Sequence, residues 1–273
     1  MREEHPYLDA QSRFIVIGGK RVHYKREGSG PVLVLLHGSG SSLQCFDGVL
    51  PALQAHFEVV RLDLPGCGAS APMPEQDYRI ETFVRFVNEF VERLSLKEFQ
   101  LVGNSLGGNI AWNFALDYPD KVELLFLLNA TGYPEKSLPA AFHLARNAFG
   151  RFVLRRMLSR RSTTKNLHSL IGPRTVLDDA VIDRVYALMA IPANREAFIS
   201  FARTDQRDRS PELRKVKTPT LVLRGEQVDG QYFARDIPGS KEIVLTGVGR
   251  LLPEEAPQEI IESILNFQVP YDA

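Results

Sequence analysis

Short apolar runs alternate with helix-like stretches along this sequence, and the alternation stops near residue 131 and resumes near residue 220. Val32–Leu36 and Leu124–Leu128 are apolar at every position, which is typical of strands covered on both faces of a parallel sheet. Thr82–Leu94 carries its apolar residues at helical spacing. The alternation predicts an α/β fold with a doubly wound, mostly parallel sheet. The predicted strands are Ser12–Ile17, Arg21–Arg26, Val32–Leu36, Phe57–Leu62, Phe99–Val102, Val122–Leu128, Thr220–Leu223 and Glu242–Leu245, and the predicted helices outside the interruption are Leu43–Ala55, Thr82–Leu94, Leu106–Leu116 and Glu259–Phe267.

The interruption is helical. Residues 131–210 show no strand pattern, and helical stretches occur near Leu138–Arg161, Asp178–Ala190 and Asn194–Thr204. An all-helical insertion between two strands of one sheet predicts a cap over the carboxyl edge, where open α/β sheets bind ligands. The sequence therefore predicts a core made of residues 1–130 and 211–273, with a helical cap at 131–210.

Composition narrows the class of partner. Lysine plus arginine and aspartate plus glutamate each number 33, so the chain lacks the positive charge of a general nucleic-acid binder. Two cysteines do not make a disulfide framework and favour a reducing compartment. No apolar run approaches about 20 residues, and no apolar stretch follows the first charged residues. We therefore expect a cytoplasmic protein that does not insert into a membrane.

Neither a cofactor nor a metal is expected. No glycine-rich phosphate-binding loop follows a predicted strand. Cys45 and Cys67 have no histidine or carboxylate partner at short spacing, which argues against a metal site or a thiol nucleophile. The expected partner is a small molecule.

The motif that points to chemistry is Gly103-Asn104-Ser105-Leu106-Gly107, which lies between a predicted strand and a predicted helix. In that context a sharp turn exposes the serine hydroxyl, and small neighbours are needed where the chain crosses itself. The N-terminus of the following helix favours negative charge beside the hydroxyl. The motif therefore predicts a nucleophile elbow at Ser105.

With this motif the sequence resembles the α/β-hydrolase superfamily, and within it the capped serine esterases and the meta-cleavage-type C–C bond hydrolases. The resemblance implies Ser105 as the nucleophile and His37 as a scaffold residue. It implies an oxyanion hole formed by the amides of Leu106 and of Ser39 or Gly40. Four matches in the expected order carry it, namely His37–Gly40, Asp63–Ser70, Gly103–Gly108 and Gly247–Glu255.

The sequence departs from this family at the base and the acid. Arg250 stands where the resemblance places the catalytic histidine, and arginine cannot accept a proton because its pKa lies above ~12. Val228 stands at the position of the acid, Asp229 follows one residue late, and the loop is shortened. The resemblance therefore predicts a degenerate catalytic triad. His143 and His168 in the cap are the remaining candidates for a base, although a lone cap histidine is more often a surface residue.

Three functions remain open. The first is a serine hydrolase of weak or narrow activity that acts on a small, largely apolar ester, diketone or carboxylic acid. The second is a lyase, cyclase or isomerase that polarises a carbonyl without covalent catalysis. The third is a non-catalytic protein that keeps the pocket as a binding site.

Two arginine features each allow two interpretations. Arg250 either reaches toward Ser105 and favours a carboxylate ligand, or pairs at the surface with Glu254, Glu255 or Asp229. A second group of arginines crowds the first cap helices, where it forms either a docking face for an acidic lipid or partner, or the solvated face of an amphipathic helix. We favour the solvated face. The arginines are Arg146, Arg151, Arg155, Arg156, Arg160 and Arg161, and the predicted buried side is Phe149, Phe152, Val153, Met157 and Leu158.

Overall fold

The sheet of this protein is mostly parallel, as predicted. The computed structural model describes residues 5, 7–134, 140–156 and 158–267. In these ranges eight strands form one sheet in the order β1-β2-β4-β3-β5-β6-β7-β8, in which only the β1–β2 and β2–β4 pairs are antiparallel. The strands are β1 (Arg13–Ile17), β2 (Lys20–Gly28), β3 (Val32–Leu36), β4 (Glu58–Leu62), β5 (Phe99–Asn104), β6 (Val122–Leu128), β7 (Thr220–Gly225) and β8 (Lys241–Leu245).

Helices cover both faces of this sheet and fill the interval between β6 and β7. They are α1 (Leu50–Leu53), α2 (Ile80–Arg93), α3 (Leu106–Asp117), α4 (Ala140–Arg146), α5 (Ala148–Arg156), α6 (Arg160–His168), α7 (Asp179–Ala190), α8 (Pro192–Arg203), α9 (Phe233–Asp236), α10 (Leu252–Glu255) and α11 (Pro257–Asn266), with 3-10 turns at Leu43–Phe46, Pro74–Gln76, Pro119–Lys121 and Ser210–Lys215. No helix in the described ranges is both long enough and apolar enough to cross a membrane.

Strand β3 shows how the sheet generates two cores. Val34 and Leu36 join one cluster with residues of α2 and α3, whereas Leu33 and Leu35 join the other cluster with residues of α11. Successive side chains of a strand point to opposite faces, so an uninterrupted apolar run requires a cover on each side. The prediction of a doubly wound sheet is confirmed.

Two predicted helices are broken in the structure. Leu43–Ala55 is divided into a 3-10 turn and the short helix α1, because Pro51 fits only the first turn of a helix and starts a new one. The stretch predicted near Leu138–Arg161 is divided into α4, α5 and the start of α6. The division between α4 and α5 lies at Asn147, whose side chain accepts a hydrogen bond from Gly150 N at 2.7 Å. Helix α6 starts after Ser159, which forms a capping box with Ser162.

Helix α8 follows β6 and precedes β7 in the chain, and it lies against loops at the carboxyl edge of the sheet. A Cβ atom at Gly66, just beyond β4, would come within 2.3 Å of Ala197 on α8. A Cβ atom at Gly40, just beyond β3, would come within 3.8 Å of Phe198. No strand occurs between residues 131 and 210 in the part that the structure describes. The division of the chain at residues 130 and 211 stays a prediction.

Candidate active site

Ser105 occupies a sharp turn between β5 and α3. Its φ of 53° and ψ of −111° lie in a region that non-glycine residues rarely adopt, and such a conformation persists only where surrounding contacts enforce it. Gly103 and Gly107 provide the room, because a Cβ atom at Gly103 would lie 2.3 Å from Gly107 O and one at Gly107 would lie 2.1 Å from Leu36 O. The Ser105 amide donates to Leu128 O at 2.9 Å. We call residues 103–108 the Ser105 turn.

Two backbone amides beside this turn have no hydrogen-bond partner in the described ranges. Leu106 is the first residue of α3, so its N–H has no intrahelical acceptor. The Ser39 N–H is also unbonded. The Gly40 N–H lies near the Cys67 sulfur and lowers the pKa of that thiol slightly against the effect of burial.

A narrow apolar recess lies between these amides and the cap. Its cavity volume is about 20 Å³. Ser39 and Leu106 form part of its wall, while Ser105 and Arg250 do not line it. Burial raises the pKa of both Cys67 and Tyr78 in the wall to about 12, so these groups stay neutral. The cap wall consists of Leu188, Met189, Asn194, Ala197, Phe198 and Phe201.

Arg250 lies in a loop that is held almost entirely through its backbone. The side chain of Asn129, at the end of β6, donates to Gly249 O at 2.9 Å and accepts from Gly225 N at 2.8 Å. The Arg250 N–H donates to Leu170 O of the cap at 2.6 Å. Asn129 is the next residue after Leu128, whose carbonyl oxygen accepts the hydrogen bond from the Ser105 amide. The loop that Asn129 holds therefore adjoins the Ser105 turn. We call residues 247–251 the Arg250 loop.

Glu255 is the anchor of the Arg250 loop. Its Oε2 accepts from Gly249 N and Thr175 Oγ1, each at 2.9 Å, and from Gly172 N at 2.7 Å. Its Oε1 accepts from Leu251 N at 2.9 Å. One carboxylate therefore joins the core loop to the cap segment at residues 170–175. Sequence reasoning missed this role, since no local motif marks it.

The surface pairing of Arg250, one of its two interpretations, does not occur among the described residues. Its half-buried side chain forms no ion pair or hydrogen bond with another described residue. The three expected partners are otherwise engaged, because Glu254 pairs with Arg184 at 2.9 Å, Glu255 binds the amides above, and Asp229 Oδ1 accepts from Gly230 N at 2.7 Å.

The other candidates for the acid and the base are exposed and form no hydrogen bond with Ser105. Asp229 is exposed in the β7–α9 loop, and His143 and His168 are exposed on the cap. No histidine or carboxylate in the described part of the chain hydrogen-bonds to Ser105 Oγ. The buried His37 accepts from Leu64 N through Nε2 and contacts Gly38 O through Nδ1, which accounts for it as a scaffold residue.

A Ser-His-Asp series does occur elsewhere, and sequence reasoning did not find it. His23 Nδ1 lies 2.7 Å from Asp63 Oδ2 and His23 Nε2 lies 3.0 Å from Ser12 Oγ. Asp9 Oδ1 lies 3.3 Å from Ser12 Oγ, so a negative charge on a reacting oxygen would be repelled there. Asp63 also accepts from the amides of Leu43 and Ala69. This series holds the first strands and the loop after β4 together.

Neither cysteine is activated, and the described ranges contain no cluster for a metal. Burial raises the pKa of the Cys45 thiol well above its usual range, as it does for Cys67. A protonated thiol is a poor nucleophile. Within those ranges no group of three or more His, Cys, Asp or Glu side chains is arranged to hold a metal ion.

The model of one protein family, described as alpha/beta hydrolase fold, matches residues 31–257. The chain belongs to the α/β-hydrolase family. The uncharacterized hydrolase YugF of Bacillus subtilis is 30% identical, over 90% of this chain and 92% of that protein. The 2-hydroxy-6-oxo-6-(2'-aminophenyl)hexa-2,4-dienoic acid hydrolase of Metapseudomonas resinovorans is 25% identical, over 97% of this chain and 92% of that protein.

A solved structure supports the same assignment. That of the epoxide hydrolase CorEH is 26% identical to this chain and superposes with a TM-score of 0.81, covering 94% of this chain and 97% of that one. Proteins named as a dienoic acid hydrolase and as an epoxide hydrolase are therefore similar to this chain over most of its length. The three relatives named here are hydrolases.

Proposed function

We propose that this protein is an α/β-hydrolase-family enzyme of low hydrolytic turnover that binds a small, largely apolar carbonyl compound beside Ser105. The observation that carries the proposal is the combination of two unbonded amides, at Ser39 and Leu106, with a Ser105 hydroxyl that hydrogen-bonds to no base in the described ranges. Backbone N–H groups in this arrangement stabilise negative charge on a carbonyl oxygen. A serine without an adjacent base is a weak nucleophile.

The polarity of the recess supports an apolar ligand body. Its wall is formed mainly by aliphatic and aromatic side chains, and its titratable groups are neutral. The two amides form the polar end. An ester, a diketone or a carboxylic acid fits this combination, because each joins a carbonyl oxygen to an apolar body.

Arg250 favours a carboxylic acid among these ligands. A half-buried guanidinium without a carboxylate partner has lost part of its hydration without compensation. A ligand carboxylate within reach of Arg250 would restore that compensation. A charge-assisted contact contributes about 1.5–3 kcal/mol, which is a preference of about tenfold or more over a neutral amide of the same shape.

Calorimetric titration with benzoate and benzamide tests the ligand. We expect benzoate to bind at least about tenfold more tightly, and Arg250→Gln to abolish the difference. Arg235→Gln is the matched control, since Arg235 is an exposed arginine paired with Asp236. Equal binding of acid and amide, or an unchanged preference in Arg250→Gln, contradicts the anion site.

Labelling with a fluorophosphonate tests the weak nucleophile separately. We expect slow labelling that disappears in Ser105→Ala, and very low turnover of short-chain nitrophenyl esters. Efficient ester hydrolysis that depends on Ser105 would show that an undetected base activates it.

A further inference from the structure

Two aromatic side chains of helix α5 are exposed to solvent. Phe149 is 75% exposed and Phe152 is 57% exposed, so the prediction that they lie on the buried side of an amphipathic helix is wrong. The buried residue of α5 is Gly150, where a Cβ atom would lie 2.1 Å from Leu144 O. This close approach turns the glycine side of the helix inward. Val153 and Leu158 are half-buried, and Met157 lies outside the described residues.

Arginines share this outward face. Arg155 and Arg156 are exposed, and they follow Phe152 at the three- and four-residue spacing that places side chains on one helical face. The Arg156 guanidinium lies 6.0 Å from the centre of the Phe152 ring. We call Phe149, Phe152, Arg155 and Arg156, with the adjoining Arg151, the α5 face.

The segment of chain that carries the α5 face is basic. Residues 136–177 contain nine lysines and arginines and no aspartate or glutamate. Acidic residues from later helices neutralise some of these cations, as Glu196 does for Arg155 and Asp183 for Arg160. Arg151, Arg156 and Arg161 have no carboxylate partner in the described ranges.

The α5 face is an outer surface of the cap, one helix away from the recess. Helix α5 contacts α4 and α8, and α8 supplies Phe198 and Phe201 to the recess wall. Phe142 of α4 contacts both rings, with centroid separations of 5.3 Å and 5.9 Å. The inner sides of these helices are therefore occupied, whereas the rings of Phe149 and Phe152 on the α5 face stay exposed to solvent.

We propose that the α5 face docks this protein on an anionic lipid surface. Phenylalanine rings have no polar atoms to satisfy and enter the boundary between headgroups and acyl chains, while arginines on the same side bind lipid phosphates. A second copy of the chain fits this face poorly, because a symmetric pairing would bring like charges together. The docking is peripheral and goes beyond the proposed function, since it does not depend on the ligand of the recess.

Flotation of the full-length protein with lipid vesicles tests the proposal. We expect binding to vesicles of phosphatidylserine and phosphatidylcholine, little binding to phosphatidylcholine alone, and a decline with added salt. Phe149→Gln/Phe152→Gln and Arg151→Gln/Arg156→Gln should each weaken binding by about tenfold or more. Both pairs of residues are at the surface. If the phenylalanine variant disturbs folding, vesicle binding by the arginine variant still tests the proposal.

Matched control variants carry the same kinds of change elsewhere. Val16→Thr/Val244→Thr alters two other exposed apolar residues, and Lys20→Gln/Lys97→Gln removes two other exposed cations. Neither pair should change vesicle binding more than about twofold. Absence of binding to anionic vesicles, or equal losses in the control pairs, overturns the proposal.

Two further outcomes would also overturn it, in favour of another occupant. Binding to polyglutamate but not to anionic vesicles would identify an acidic protein as the partner of the α5 face. A dimer in analytical ultracentrifugation that Phe149→Gln/Phe152→Gln dissociates would identify a second copy of the chain.

Discussion

The Ser105 turn and the Arg250 loop lie side by side at the carboxyl edge of the sheet, but they are held in place in different ways. The Ser105 turn is enforced by its own glycines, whose missing Cβ atoms allow backbone contacts that no other residue permits. The Arg250 loop is held by distant side chains, namely Asn129 and Glu255, and by the carbonyl of Leu170.

This difference determines whether the shape of the backbone depends on the identity of the side chains in the segment. In the Ser105 turn the residues that shape the backbone are the motif itself, so the shape cannot be kept without the motif. In the Arg250 loop the bonds that shape the backbone involve amides and carbonyls, so the side chain at position 250 can differ without loss of the loop. Three of the four predictions that follow test this contrast, and the other concerns Glu254, the residue next to the anchor Glu255.

The largest effect is expected from Gly107→Ala in the Ser105 turn. The new Cβ atom would lie 2.1 Å from Leu36 O, and a backbone oxygen in a central strand cannot move aside. We expect a loss of about 3 kcal/mol or more in the free energy of unfolding, measured by urea denaturation. Gly48→Ala is the control, since its Cβ atom would be 3.5 Å from Pro257. Similar stability of the two variants would show that the turn tolerates side chains.

Glu255→Gln should have the next largest effect. The amide keeps one acceptor oxygen and turns an NH2 group toward backbone donors that the carboxylate now satisfies. We expect destabilisation by about 2–4 kcal/mol. In Glu259→Gln, which removes only an exposed pair with Arg174, the loss should stay below about 0.5 kcal/mol. A loss in Glu255→Gln no larger than this control would mean that the anchor is dispensable.

Glu254 should make stability depend on pH. Burial raises the pKa of this carboxyl to about 7, although the charge of Arg184 opposes the shift. The folded protein then binds a proton that the unfolded chain releases near pH 4.5. Stability is therefore highest below that pH and falls as pH rises toward 7.

The measurement is the free energy of unfolding at pH 5 and pH 8 for the natural protein and for Glu254→Gln. We expect the natural protein to lose about 1–3 kcal/mol more than the variant over this interval. An identical pH dependence in both proteins would show that Glu254 is ionised throughout.

The smallest effect is expected from Arg250→His. The new imidazole would lack an orienting carboxylate, because Asp229 is exposed and bonded to Gly230. We expect ester hydrolysis to rise less than about tenfold and the free energy of unfolding to change by less than about 0.5 kcal/mol. The measurements are kcat/KM with nitrophenyl acetate and urea denaturation. A gain of a thousandfold would mean that another group orients the histidine.

The sheet and the Ser105 turn could be predicted because their causes are local. An apolar run such as Val32–Leu36 requires cover on both faces, and the glycines at 103 and 107 mark the crossing of the chain. The order of residues also placed Arg250 in the loop after β8, and no histidine or carboxylate in the described ranges hydrogen-bonds to Ser105 Oγ.

The anchors of the Arg250 loop were not predictable in this way. Glu255 and Gly172 are 83 positions apart, and Asn129 and Gly249 are 120 apart, so no periodicity relates them. The exposure of Phe149 and Phe152 was missed for a similar reason. Helical spacing shows which residues share a face, but the close contact of Gly150 with Leu144 decides which face is covered.

The backbone anchoring of position 250 also bears on how such a protein can change over generations. The amides on either side of this residue are bound by Glu255, and its own amide by Leu170, so folding places little selection on its side chain. New chemistry can therefore be tried at this one position without the loss of stability that most active-site changes bring. Libraries randomised at residue 250 should yield folded proteins at high frequency, and this makes the position a suitable starting point for building a different activity on the same scaffold.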